Sequence, residues 1–498
     1  MSDSLSAYKT LEARFRRLGV LAEVGGLLGW DSAVMMPKGS GGQRGEVYAE
    51  MAALKHDLLV DPMIETLLDT AEAEVSVFNP WQAANLREMR DQWIEATAVP
   101  VDLVSALAKQ ANDLELLWRD ARESSDFDVV AQPLADLLSL TKQQAIAIGD
   151  AKGLSPYDAL MGMFSPGQTK ADVDPIFDNY AEFLPNFLED VLDYQAKLPA
   201  LPAYDGPLEV VQQHALSQHL LGEIGFDFNR GRLDTSEHPF CSGTLDDIRM
   251  TGRYSEDELG IMPPIHELGH AIYEMQLPKE WAFQPVGQSL GMAIHESQSL
   301  LHELQVARSP AYIRYLSGVL PQYLGKQPAW EEEALARRLN NVERSYIRVE
   351  ADEVTYPAHV ILRYRLEQAM IAGDLAIPDL PGAWSDELDR LLGIRPRNHA
   401  EGCLQDIHWF VGLMGYFPSY SLGAMLAAQI FQAAKSALPN LEQDIERGEF
   451  ARLRGWLGTQ VHGKGRLLLP PELIKSVTGA PLDIEIFKSH LKARYLPA

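Results

Sequence analysis

Apolar residues recur along this chain at intervals of three and four. In residues 101–118, Leu103, Leu107, Leu114 and Leu117 fall on one stripe, the mark of an amphipathic helix. The same spacing predicts helices over 5–28, 43–58, 81–96, 134–150, 172–197, 208–223, 290–308, 329–350, 357–372 and 421–447. Pro166-Gly167, the stretch from Leu198 to Pro207, and Pro381-Gly382 punctuate the pattern. Residues 225–254 break it. Short alternating runs separated by glycine predict a small β-ribbon there, with an exposed strand suited to pairing with an extended peptide. No internal repeat or low-complexity linker interrupts the chain. The expectation is a mainly α protein, a single large helical domain over 1–498 with a small β-sheet.

Composition narrows the partners. The 498 residues allow one large helical domain or roughly two to four smaller ones. The formal net charge of −27 disfavours nucleic acid and anionic membranes. No apolar run approaches the roughly 20 residues of a membrane span. Cys241 and Cys403 are the only cysteines, too few for a disulfide framework. The first residues lack a basic stretch before an apolar core. A reducing cytoplasm is the expected location.

The candidate chemistry lies at His266-Glu267-Leu268-Gly269-His270. An H-E-x-x-H spacing on a helix puts both imidazoles on one face, where they can grip one zinc ion, and places Glu267 to take a proton from a metal-bound water. Taken alone, the motif also fits a solvated surface helix. Pro263-Pro264 predicts a helix start or kink just before it, Pro278 a stop, and Gly269 a close approach by a neighbouring segment. Catalytic zinc needs a third protein ligand. Glu296, within His295-Glu296-Ser297-Gln298 and 26 residues beyond His270, is the candidate.

Further motifs make the chain closely similar to the carboxypeptidase Taq family of metallopeptidases. They are His238-Pro239-Phe240, Asp247-Ile248-Arg249-Met250-Thr251, His266 to His270, His295 to Gln298, Ile347-Arg348-Val349-Glu350-Ala351-Asp352, and Gly402-Cys403-Leu404-Gln405-Asp406-Ile407-His408-Trp409. Trp30-Asp31 with Val34-Met35-Met36-Pro37 resembles the family near its N-terminus, and Trp456-Leu457, His462 and Thr478-Gly479 resemble it near its C-terminus. One departure is visible: the segment from Tyr157 to Gly167 has glycine and serine where acidic residues are usual. The resemblance implies an almost wholly helical fold with a deep groove over zinc, the architecture of oligopeptidases and angiotensin-converting enzymes. It also implies release of single C-terminal amino acids with broad specificity, and a homodimer.

Roles follow as expectations. His266, His270 and Glu296 would hold zinc, with cobalt a possible substitute. Glu267 would act as base and then acid. Tyr420, His408 and His238 are candidates to stabilise the oxyanion. Arg348, read as lying in an amphipathic helix, ranks first to clamp the substrate carboxylate, and Arg249 second. Asp352 and Asp406 are expected to orient Arg348 and His408, while Asp247 could hold the β-ribbon. A dipeptidyl-carboxypeptidase or endo-oligopeptidase on the same scaffold is the alternative. A non-enzymatic metal-binding scaffold fits less well, because ligands, base and candidate clamp occur together.

Overall fold

A computed structural model describes residues 3–496. Among them are twenty α-helices, short 3-10 turns and one three-stranded sheet. Side-chain caps and prolines set many helix starts. Asn79 and Gln82 form a reciprocal capping box at Pro80–Ala98, and Ser309 caps Pro310–Leu324. Gly153, at φ 69°, ends Asp128–Lys152 in the left-handed conformation that glycine adopts without penalty.

Most of the periodic segments are helices, with three corrections. Leu117 is exposed; Trp118 occupies the buried stripe and donates to the Leu404 carbonyl at 2.8 Å. Pro381-Gly382 does not interrupt structure: Pro381 lies in the first turn of Leu380–Leu392, where its missing N–H costs nothing. The segment 329–350 is not one helix. A 3-10 turn, Pro328–Trp330, precedes Glu332–Leu339, and residues 340–347 are irregular. Side chains there take the backbone donors that a helix would use: Asp352 accepts from Glu343 N at 3.0 Å and Gln405 from Arg348 N at 2.8 Å. Arg348 therefore opens a single 3-10 turn, Arg348–Glu350, and is not on an amphipathic helix.

The sheet is formed by β1 (Gly231–Thr235), β2 (Cys241–Ser242) and β3 (Ile248–Gly252), in the order β1-β3-β2. It is mixed, not a simple ribbon. β1 pairs parallel to β3, from Gly231↔Ile248 to Thr235↔Gly252, and β2 pairs antiparallel, Cys241↔Met250 and Ser242↔Arg249. β2 is thus an edge. β3 packs on the helix Met262–Met275, which packs in turn on Gly291–Leu300 and the π-helix Leu301–Ala307. The mostly buried helix Pro418–Ala437 covers the other side of Gly291–Leu300. Among the described residues no helix is long and apolar enough to cross a membrane.

Candidate metal centre

Two glycines bring three helices together. A β-carbon on Gly269 would run into the backbone of Gln298 and Ser299, and one on Gly423 would stand 2.8 Å from Cβ and Cγ of Glu296. Without side chains at these positions, the helix Gly291–Leu300 nests between its two neighbours. Pro263 and Pro264 form the first turn of Met262–Met275, so His266 and His270 lie one turn into a well-started helix.

His266, His270 and Glu296 each offer one ligand atom, and the three atoms lie within 4.8 Å of one another. Glu296 Oε2 is 3.8 Å from His266 Nε2 and 3.4 Å from His270 Nε2. Both histidines use their other nitrogen elsewhere. His266 Nδ1 is 2.9 Å from Glu303, which Arg308 holds at 2.8 Å. His270 Nδ1 is 2.5 Å from His295 Nδ1, and His295 Nε2 is 2.8 Å from Glu274. Two imidazole nitrogens and one carboxylate, turned to a shared point with their outer edges anchored, fit a divalent metal of the kind catalytic sites hold with three protein ligands.

Glu267, next to His266, is buried. Burial lifts its pKa to about 7; the charge on His266 opposes this and that on Glu296 adds to it. A second group of side chains stands within electrostatic reach of Glu296: Tyr356, Tyr416 and Tyr420. Arg348 lies among them, its guanidinium carbon 5.0 Å from the Tyr420 ring centroid and its Nη1 donating to Tyr356 Oη at 2.6 Å. Asp406 accepts from Arg348 at 2.8 Å and from Arg363 at 2.6 Å. One carboxylate shared by two buried guanidiniums leaves one positive charge in excess. His408 Nε2 is 3.3 Å from Tyr420 Oη. Burial lowers the His408 pKa to about 4, so the ring is neutral near pH 7.

Other candidates lie elsewhere. Asp352 does not meet Arg348; it binds the backbone of Val354 and Thr355. Arg249, on β3, pairs with Asp247 at 3.0 Å and stacks over Trp30 at 4.3 Å, fastening the helix Asp3–Val34 to the sheet. His238 is exposed on the segment leading into β2. Sequence reasoning missed Glu303, Glu274, Arg308 and Arg363. Glu303 had a signal: seven residues after Glu296, it falls two turns along the same helical face.

Behind Glu303 lies a second buried network. Glu353, fully buried, accepts from Arg494 at 2.9 Å and Tyr495 at 3.0 Å, with His490 at 2.9 Å. Glu353 and Tyr495 also act electrostatically on Arg308, the residue that holds Glu303.

Residues 10–495 match a family model described as carboxypeptidase Taq (M32) metallopeptidase. Thermostable carboxypeptidase 1 of Thermus thermophilus is 35% identical over 502 residues, covering 98% of each chain. Thermostable carboxypeptidase 1 of Pyrococcus furiosus is 32% identical, also over 98% of each. Trypanosoma cruzi metallocarboxypeptidase 1 superposes with a TM-score of 0.97 at 35% identity, over 98% of this chain and 99% of that one.

Proposed function

This chain belongs to the carboxypeptidase Taq (M32) family of metallopeptidases, and from that premise we propose how its residues divide the work of a metallocarboxypeptidase. The observation that carries the reading is the convergence of His266, His270 and Glu296 with Glu267 alongside. Zinc is the proposed ion. Held there, it would supply Lewis-acid polarisation of the scissile carbonyl and an acidified water.

Glu267 takes the proton from that water and returns it to the departing amine, one carboxylate serving in both directions. Tyr420 donates to the developing oxyanion. His408, neutral and 3.3 Å from the Tyr420 hydroxyl, aims it and is the second candidate donor. His238 is the third, carried by the segment that enters the edge strand. Arg348 receives the α-carboxylate of the substrate. Its Nε and Nη2 edge is engaged by Asp406, so the contact falls to its remaining N–H groups, helped by the excess positive charge of the Arg348–Asp406–Arg363 group. Arg249 is the runner-up.

The substrates are peptides with a free C-terminus, and the products are single amino acids of broad type. We read 1–498 as one catalytic unit, cytoplasmic and homodimeric. The test is a digest of a defined peptide with zinc-loaded protein, followed by mass spectrometry. A ladder shortening one residue at a time from the C-terminus, abolished by a chelator and by C-terminal amidation, is the expected result. Dipeptides as first products would instead favour a dipeptidyl-carboxypeptidase, and internal fragments an endo-oligopeptidase. Metal uptake without hydrolysis would favour a scaffold.

A further inference from the structure

The two ligand imidazoles are backed differently. His266 Nδ1 meets the Glu303 carboxylate directly, the common arrangement for a metal-binding histidine. His270 Nδ1 meets another imidazole. The His270 and His295 ring centroids are 4.5 Å apart while their Nδ1 atoms are 2.5 Å apart, so the rings touch edge to edge.

With His270 Nε2 kept free to ligate, the chain of contacts permits one arrangement of protons. Glu274 Oε1 is 2.8 Å from His295 Nε2, and an ionised glutamate has no proton to donate. A carboxylate only accepts, so His295 Nε2 carries the proton in the 2.8 Å contact. In a neutral imidazole the other nitrogen is then an acceptor. The donor across the 2.5 Å contact is therefore His270 Nδ1, which leaves His270 Nε2 bare and turned toward Glu296. The alternative, a cationic His295 donating at both ends, would put the His270 proton on Nε2 and forbid ligation.

We propose that His295 and Glu274 are positioning residues that set the tautomer and orientation of His270, through a relay of two imidazoles in place of a direct carboxylate. This rests on His270 being a metal ligand. The pair borders an open cavity of about 330 Å³ lined also by Glu23, Cys241 and Ser242. A replacement at position 295 thus has free space on one side.

The experiment measures zinc affinity by competition with a chromophoric chelator, and the visible absorption of the cobalt(II) form, in the full-length protein. Wild type should bind one equivalent and His270→Ala should not; if wild type binds none, the ligand reading itself fails. Given that binding, His295→Leu should lose about ten- to a hundred-fold in zinc affinity and alter the cobalt spectrum. His295→Gln should recover part of both, because an amide offers one acceptor and one donor. Glu274→Gln should lose less than His295→Leu. A His295→Leu protein with wild-type affinity and cobalt spectrum would overturn the proposal, as would equal losses in the Leu and Gln variants. Should His295→Leu fail to fold, wild-type zinc affinity and cobalt spectrum in Glu274→Gln would overturn it alone.

Discussion

Gly269 on the ligand helix is in backbone contact with Gln298 on the helix that carries Glu296. Two effects compete at this position. Alanine would add about 1 kcal/mol of intrinsic helix preference. Its β-carbon would also meet backbone, which cannot rotate away, and overpacking of this kind costs typically about 1–3 kcal/mol or more. The clash should win. Gly269→Ala is expected to lower the thermal midpoint and to reduce bound metal per chain, since it pushes Glu296 away from His266 and His270. Higher stability with full metal content would show that the two helices can separate freely.

Glu267→Gln tests the proton carrier. The amide keeps nearly the same shape but cannot accept a proton. Metal content should stay at the wild-type level while kcat falls by about 10²–10⁴-fold, the range of general-base contributions. Metal analysis beside steady-state kinetics separates this from loss of the ion. Retained turnover would assign the base to another residue.

Arg348 and Asp406 should behave differently although they touch. Arg348→Ala leaves Asp406 still paired with Arg363, so the fold should survive. Catalytic efficiency on free-carboxylate peptides should fall roughly ten- to a hundred-fold, from a charged hydrogen bond of about 1.5–3 kcal/mol. On peptide amides, where the wild type has little or no activity to lose, the variant should be hardly worse, and Arg348→Lys should rescue only in part. Asp406→Ala instead leaves two buried guanidiniums without their shared partner, and breaking such a pair costs about 3–5 kcal/mol. Denaturant unfolding of the two variants side by side should separate them. Equal stability would mean that Asp406 contributes no net pairing.

Glu353 should govern part of the acid response. Burial opposes its charge, but Arg494, His490 and Arg308 outweigh burial and hold its pKa far below the ordinary 4.5. As pH falls, the unfolded chain takes up this proton first. The contribution to stability is therefore complete above about pH 5 and is lost progressively below it. Glu353→Gln should lower the thermal midpoint at pH 7 and flatten its decline between about pH 5 and pH 3. An unchanged acid slope would place the relevant titration on other carboxylates.

What could be read from the residues follows a physical division. The pairing of His266 with His270 was legible because it is a property of one helix. Glu296 needed the motif around it. His295 could be seen only as its neighbour, because its partner Glu274 is on another helix and nothing in local spacing joins them. Asp406 could be named as an orienting partner only from its motif, and its second arginine, Arg363, 43 positions away, left no signal. Most long helices followed from apolar spacing. The misreadings at 329–350 and Pro381-Gly382 came from side chains that capture backbone donors and from a proline that opens a helix.

The link between Glu353 and the helix Ile484–Tyr495 sets an order of events during synthesis. The ribosome releases His266, His270, Glu296 and Glu353 long before it releases Arg494 and Tyr495. Until then, Glu353 has no cation from that helix, and Arg308 is drawn by two acids, Glu303 and Glu353, with no Arg494 to share the second. A nascent chain at that stage has His266, His270 and Glu296 but not all of the buried charges behind them. The buried charges behind Glu303 are thus completed only by a helix from the far end of the chain, more than 180 positions beyond Glu303.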